Sequence, residues 1–121
     1  MWPLRLSGKQ RQGQAWENRA LAFLEAKGMT LVEANFSCKS GEIDLILRDS
    51  GELVFVEVRQ RACGSHGGAA SSITPAKQRR VVKAAQTYLQ RFERTPACRI
   101  DVIAIDGELL DWLPNAIQAD A

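Results

Sequence analysis

The stretch Gly41-Glu42-Ile43-Asp44-Leu45-Ile46-Leu47-Arg48-Asp49-Ser50-Gly51-Glu52-Leu53-Val54-Phe55-Val56-Glu57-Val58-Arg59 governs the reading of the whole chain. Glu42–Arg48 alternates polar and apolar residues, as a half-buried strand does. Leu53–Gln60 is a valine-rich strand. Its period of two places Leu53, Phe55, Glu57 and Arg59 on one face and Val54, Val56 and Val58 on the other. Asp44, between Ile43 and Leu45, is expected to point away from their face. With Ser50-Gly51 as a two-residue turn, Asp44 stands opposite Glu57, the Cβ atoms about 4.5–5.5 Å apart. A three-residue loop with Gly51 in a bulge moves that register by one.

The flanking sequence extends this hairpin into a domain. Residues 13–27 read as a helix closed by Gly28, and Met29–Phe36 as a strand. Ala62–Ser72 is small and polar, with Gly64, Gly67 and Gly68, and is expected to be a mobile loop. Thr74 can cap a helix that has Pro75 at its first position and runs to about Phe92. Arg99–Ile105 is a further strand, and Asp106-Gly107 turns it into Glu108–Leu113. Pro114 is expected to end that strand, with a short helix or a frayed end beyond. Helix, three strands, helix and two strands make an α/β domain: a mixed sheet of about five strands with helices on each side.

With 121 residues there is room for one domain with a real core, expected over residues 12–121. The formal net charge is +2, but removing residues 1–11, with Arg5, Lys9 and Arg11, takes it to −1. Residues 1–11 therefore read as a flexible basic arm. Cys38, Cys63 and Cys98 are odd in number and form no C-x-x-C, which excludes a zinc ribbon and leaves inert thiols in a reducing compartment. Neither a signal peptide nor a membrane-spanning stretch is visible, so the expectation is a cytoplasmic protein without a membrane partner.

Three acids stand where a purely structural design avoids them. On a helical wheel Glu17 falls inside the apolar arc of Trp16, Ala20, Leu21, Phe23 and Leu24. It needs a partner there, although a place near the helix N-terminus also suits a plain boundary glutamate. Asp44 and Glu57 are like charges facing each other across a hairpin, so something positive belongs between them. Mg²⁺, which takes carboxylate oxygens and phosphate, is one answer. Ion pairs with Arg48, Arg59 or Arg61 are the other. Lys77, Arg79, Arg80 and Lys83 crowd the first half of the second long helix, against its dipole, where a phosphate anion would offset them. A solvated basic face explains them equally well. His66 is a lone loop histidine. Asp101 is either a site-edge acid or the partner of a nearby arginine.

The block Gly41 to Ile46 followed by Val54-Phe55-Val56-Glu57-Val58-Arg59 resembles the D…E-x-K core of the PD-(D/E)xK nuclease superfamily. With Glu17 it is similar to archaeal Holliday-junction resolvases. It most resembles the YraN family of bacterial proteins, through Gly13 to Glu17, Asn35-Phe36, Lys77-Gln78 and Arg99-Ile100-Asp101-Val102 as well. The resemblance implies a restriction-endonuclease-like fold, Asp44 and Glu57 as ligands of Mg²⁺ or Mn²⁺, and Glu17 as an auxiliary ligand or water-orienting acid. It further implies a nucleic-acid partner, expected to be DNA, and no nucleotide cofactor; by their charge, Arg61, Lys77, Arg79, Arg80 and Lys83 are the expected contacts. The superfamily's lysine is replaced by Arg59, which can clamp a phosphate but stays protonated and is a poor general base. That change argues against the full hydrolytic mechanism without excluding it. Three functions stay open: a metal-dependent nuclease, a nucleic-acid-binding module that lost the chemistry, and, more remotely, a structural or interaction protein. A homodimer would suit a two-stranded substrate by symmetry.

Overall fold

A computed structural model describes residues 8–61 and 68–119, with side chains from Gln14 onward. The chain runs α1 (Gly8–Ala26), β1 (Thr30–Cys38), β2 (Gly41–Asp49), β3 (Glu52–Arg61), α2 (Gly68–Ser71), α3 (Pro75–Leu89), β4 (Cys98–Asp106) and β5 (Leu109–Ile117). The five strands form one sheet in the order β1-β2-β3-β4-β5, parallel between β3 and β4 and antiparallel elsewhere. Short turns force antiparallel neighbours. The long connection through α2 and α3 permits the one parallel return.

Each face of the sheet buries its own layer. Phe55, Ile43, Ile46 and Ile100 pack under Val81, Ala84, Ala85 and Tyr88 of α3. Tyr88 sits edge-on to Phe36 and Phe55, at centroid distances of 5.2 and 5.8 Å. On the other face Leu45, Leu47, Val54, Val56, Ile103 and Ile105 pack against Ala20 and Leu24 of α1. The even and odd positions of β3 thus feed opposite layers, as their alternation requires. Thr74 caps α3 by accepting from the Lys77 N–H at 3.2 Å, with Pro75 following.

Beyond shifts of one or two residues at strand ends, four boundaries differ from the sequence expectation. α1 begins at Gly8, so residues 8–11 of the expected arm are helical; residues 1–7 lie outside the described residues. Within the expected loop, Gly68–Ser71 forms a helical turn because the buried Asp106 carboxylate accepts from the Ala69 N–H at 2.8 Å. Residues 62–67, including Cys63 and His66, lie outside the described residues. α3 stops at Leu89, where the Gln90 N–H donates to the Thr87 carbonyl at 3.2 Å and the Arg91 N–H to the Tyr88 carbonyl at 3.3 Å. Finally, Pro114 does not end β5. Leu113 pairs with Val102 and Ile117 with Ile100, so a bulge absorbs residues 114–116. Asn115 turns left-handed there (φ 53°), and its N–H donates to Asp101 Oδ1 at 2.8 Å. An edge strand tolerates proline when a bulge removes it from the ladder.

Asp101 is fully buried and also accepts from Arg99 Nε and Trp112 Nε1, both at 3.0 Å. It is the partner of an arginine, not a site-edge acid. Among the described residues no helix is long and apolar enough to cross a membrane. Cys38 and Cys98 are free thiols, and burial together with Glu52 pushes the Cys98 thiol further up.

Candidate active site

The β2–β3 ladder has the register expected for a two-residue turn: Asp49 faces Glu52, Leu47 faces Val54, and Leu45 faces Val56. Alternate pairs of this kind exchange both backbone hydrogen bonds, so the next exchange would join Ile43 and Val58. It does not form. The ladder stops at Leu45–Val56, and the Val58 N–H donates instead to Asp44 Oδ2 at 2.7 Å. The alternation expected around Asp44 fails at the same point. Ile43 packs in the α3 layer and Leu45 in the α1 layer, so they do not share a face. On the other side, Asn35 stands across from Asp44 between the pairs Ala34–Leu45 and Phe36–Ile43, in a left-handed conformation (φ 55°). The splayed strands leave Asp44 open to both layers.

Acids from three elements meet there. The Asp44 carboxyl contacts those of Glu57, on β3, and Glu17, on α1. Burial and then the Asp44 charge raise the Glu57 carboxyl from the ordinary 4.5 to about 8. Burial also raises Asp44, against the opposing hydrogen bond from Val58. Glu17 is pushed to about 7 by burial and then by the Asp44 charge. With its amide nitrogen turned inward, Asn35 donates to Glu17 Oε1 and Oε2 at 3.1 and 3.3 Å, which pulls in the opposite direction. Among the described residues no three His, Cys, Asp or Glu side chains close into a ready ligand set. The geometry is a chain, Glu17 to Asp44 to Glu57, rather than a ring.

Asp44 and Glu57 open into a cleft of about 370 Å³, lined also by Gly41, Glu42, Arg59, Lys77 and Arg80. Glu17 is not among the lining residues. Arg59 Nη1 lies 3.5 Å from Glu57 Oε2, and its Nε donates to Ser72 Oγ at 3.2 Å. The Ser72 hydroxyl donates in turn to the Ala69 carbonyl at 2.6 Å. The helical turn held by Asp106 therefore fixes the guanidinium beside the acids. Gly41 permits the start of β2 to pass close under α3, since a Cβ there would lie 3.0 Å from the Arg80 carbonyl oxygen. Replacing Gly41 by valine should displace the Arg80 segment and cost about 1–3 kcal/mol of stability by overpacking. Urea unfolding checks this, and an unchanged midpoint would contradict the close approach.

The five cationic residues expected to contact nucleic acid are not all brought together. Lys77 and Arg80 reach the cleft, whereas Arg79 and Lys83 line a separate groove. Arg61 is exposed outside both, its Nε donating to the Gly68 carbonyl at 3.3 Å. Asn35, Ser72 and Asp106 were not visible as site residues, because each acts through a partner distant in sequence. The positive φ of an Asn beside a Phe in a strand is the one local hint, and sequence does not print it.

Acids at the splayed end of a central hairpin, on a mixed sheet covered by a helix layer on each face, place the chain in the restriction-endonuclease-like class. Residues 16–105 match the group described as "Uncharacterised protein family UPF0102". The chain belongs to this family, the YraN family. A UPF0102 protein of Herminiimonas arsenicoxydans is 53% identical over 113 residues, covering 93% of this chain and 91% of its own. One from Janthinobacterium sp. (strain Marseille) is 54% identical over 113 residues, covering 93% and 92%. A third, from Cupriavidus pinatubonensis, is 50% identical over 121 residues, covering 99% and 95%.

Proposed function

We propose that this protein is a metal-dependent nuclease of the cytoplasm that acts on DNA phosphodiesters. The observation that carries this reading is the contact between two half-buried carboxylates, Asp44 and Glu57, at the mouth of a cleft whose other wall is cationic. Two such groups ionise together only at a cost, which a proton or a cation must offset. Their donor set, hard carboxylate oxygens open to water, fits Mg²⁺ or Mn²⁺, which bind through one or two carboxylates plus waters and phosphate. When bound, such a cation polarises a phosphoryl oxygen and makes water more acidic.

The chain's own residues supply the rest. Asp44 and Glu57 would hold the cation, and the Val58 N–H fixes the Asp44 carboxylate by donating to its Oδ2. Glu17, aligned by Asn35, orients water behind the pair. Arg59 spans from Glu57 towards the cleft, placed to contact the scissile phosphate and stabilise the charge that develops there. Lys77 and Arg80 seat the flanking phosphates.

One observation favours a second reading, a nucleic-acid-binding module that kept the fold and lost the chemistry. Arg59 occupies the place of a lysine and is already engaged by Glu57 and Ser72; an arginine accepts no proton. A gel assay on linear and branched DNA with Mn²⁺ separates the two. Wild-type protein should cleave, and Asp44→Ala and Glu57→Ala should fall to background. Binding without product under every metal would establish the second reading. Cleavage undiminished in Glu57→Ala would remove the enzymatic claim altogether.

A further inference from the structure

Helix α3 carries Lys77, Arg79, Arg80 and Lys83 within seven residues and contains no acid. None of the four joins an ion pair among the described residues, although Arg59, Arg91 and Arg99 all do. Such a run repels itself and opposes the helix dipole, so its arrangement points to a polyanion. The four do not form one patch. Lys77 and Arg80 turn into the acid cleft. Arg79 and Lys83 turn into a second groove of about 300 Å³ on the other side of the helix, which they share with Gln78, Val82, Gln86 and Gln118.

The two cation pairs therefore flank a single helix. With side chains an α-helix is about 10–12 Å across, and the major groove of B-DNA, bounded by its two phosphate backbones, is about 12 Å wide. We infer that a DNA duplex sits astride the first half of α3, one backbone led into the acid cleft by Lys77 and Arg80 and the other held in the outer groove by Arg79 and Lys83. The outer groove is a binding site for the strand that is not at the acids. Arg79 and Lys83, one turn apart on the helix, present two consecutive cations along that backbone. Among the described residues the groove contributes no carboxylate, so it binds phosphate without chemistry. This inference rests on the nucleic-acid reading above and sharpens it, because it selects paired over single strands.

The test compares a blunt DNA duplex with one of its strands alone, by fluorescence anisotropy over a salt series without divalent cation. Full-length wild-type protein is set beside the double variant Arg79→Gln/Lys83→Gln, with circular dichroism confirming that both fold alike. Each phosphate contact contributes about 0.9 to the slope of log affinity against log salt, so the duplex slope should fall by about 1.8 in the variant. The single-strand slope should stay at the wild-type value. A variant that loses equally on both ligands, or on neither, overturns the astride arrangement while leaving DNA binding intact. Wild-type protein that binds neither ligand at low salt overturns the nucleic-acid reading itself.

Discussion

Removing a charge from the acid pair should make this protein more stable, not less. In metal-free buffer Glu57→Gln should unfold at a higher temperature than wild type at about pH 8, by a few kcal/mol, the scale set by 1.36 kcal/mol per pKa unit. The sign follows from the direction of the shifts. Glu57 is held at about 8 against an ordinary 4.5, so the folded state binds a proton that the unfolded chain has already released. Stability is then full below about pH 4.5 and declines as pH rises towards about 8. Asp44 shifts in the same direction and the two carboxyls titrate as a pair, so the loss spreads over that window instead of marking one midpoint. Glutamine keeps the shape and a hydrogen bond to Asp44 while removing one of the two charges. Millimolar Mg²⁺ should reverse the ranking: it stabilises wild type by occupying the pair, and it should have little effect on the variant. Thermal unfolding across pH, with chelator and with Mg²⁺, reads all of this. A wild type whose stability is flat over that window, or a variant that melts lower than wild type in chelator at about pH 8, would refute the half-buried like-charge pair.

The second large effect lies at the opposite end of the sheet. Arg99→Met should destabilise the fold by about 3–5 kcal/mol, the usual cost of leaving a buried ion pair without one partner. Arg99 reaches Asp49 Oδ2 at 3.1 Å, Glu52 Oε1 at 2.8 Å and Asp101 Oδ1 at 3.0 Å. Its side chain is 16% exposed and that of Asp101 is 0%. Burial disfavours the charge, but the hydrogen bonds that Arg99 donates to Asp101 and Asp49 outweigh it, and the guanidinium is held more firmly protonated than usual. Without it the β2–β3 turn, the start of β4 and the β5 bulge lose their common cation. Asp101 keeps Trp112 and the Asn115 N–H but no positive partner. For a domain of this size the melting temperature should drop by on the order of 10 °C or more. Lysine should rescue only in part, since a point charge cannot fork three carboxylates. Because this cluster is remote from the cleft, Mg²⁺ should stabilise the variant and wild type by similar increments. A loss of only a degree or two would mean that Asp101 is satisfied without Arg99.

What local sequence could settle was settled by short-range geometry. Ser50-Gly51 allowed two registers one residue apart, and the facing of Leu45 and Val56 is that of the two-residue turn. The period of two sorted Phe55 and Glu57 from Val54 and Val56, and Thr74-Pro75 marked the start of α3. Asp44, Glu57 and Glu17 could be singled out because a carboxylate inside an apolar pattern is costly wherever the chain goes.

Periodicity assumes that a strand continues as it began, and it failed where another segment intervened. Val58 gives its N–H to the Asp44 side chain, so the ladder ends and Ile43 leaves the face of Leu45. Asp101 takes the Asn115 N–H, so β5 survives its proline. Ser72 grips Arg59, and Asn35 steadies Glu17, across separations that no local pattern encodes. Residue order alone thus specified the elements and the acids, and narrowed the central register to two choices. The meeting of those acids, and the division of the α3 cations between two grooves, came from packing. Side-chain hydrogen bonds compete with the backbone ladder only after folding has brought distant segments within about 3 Å of one another.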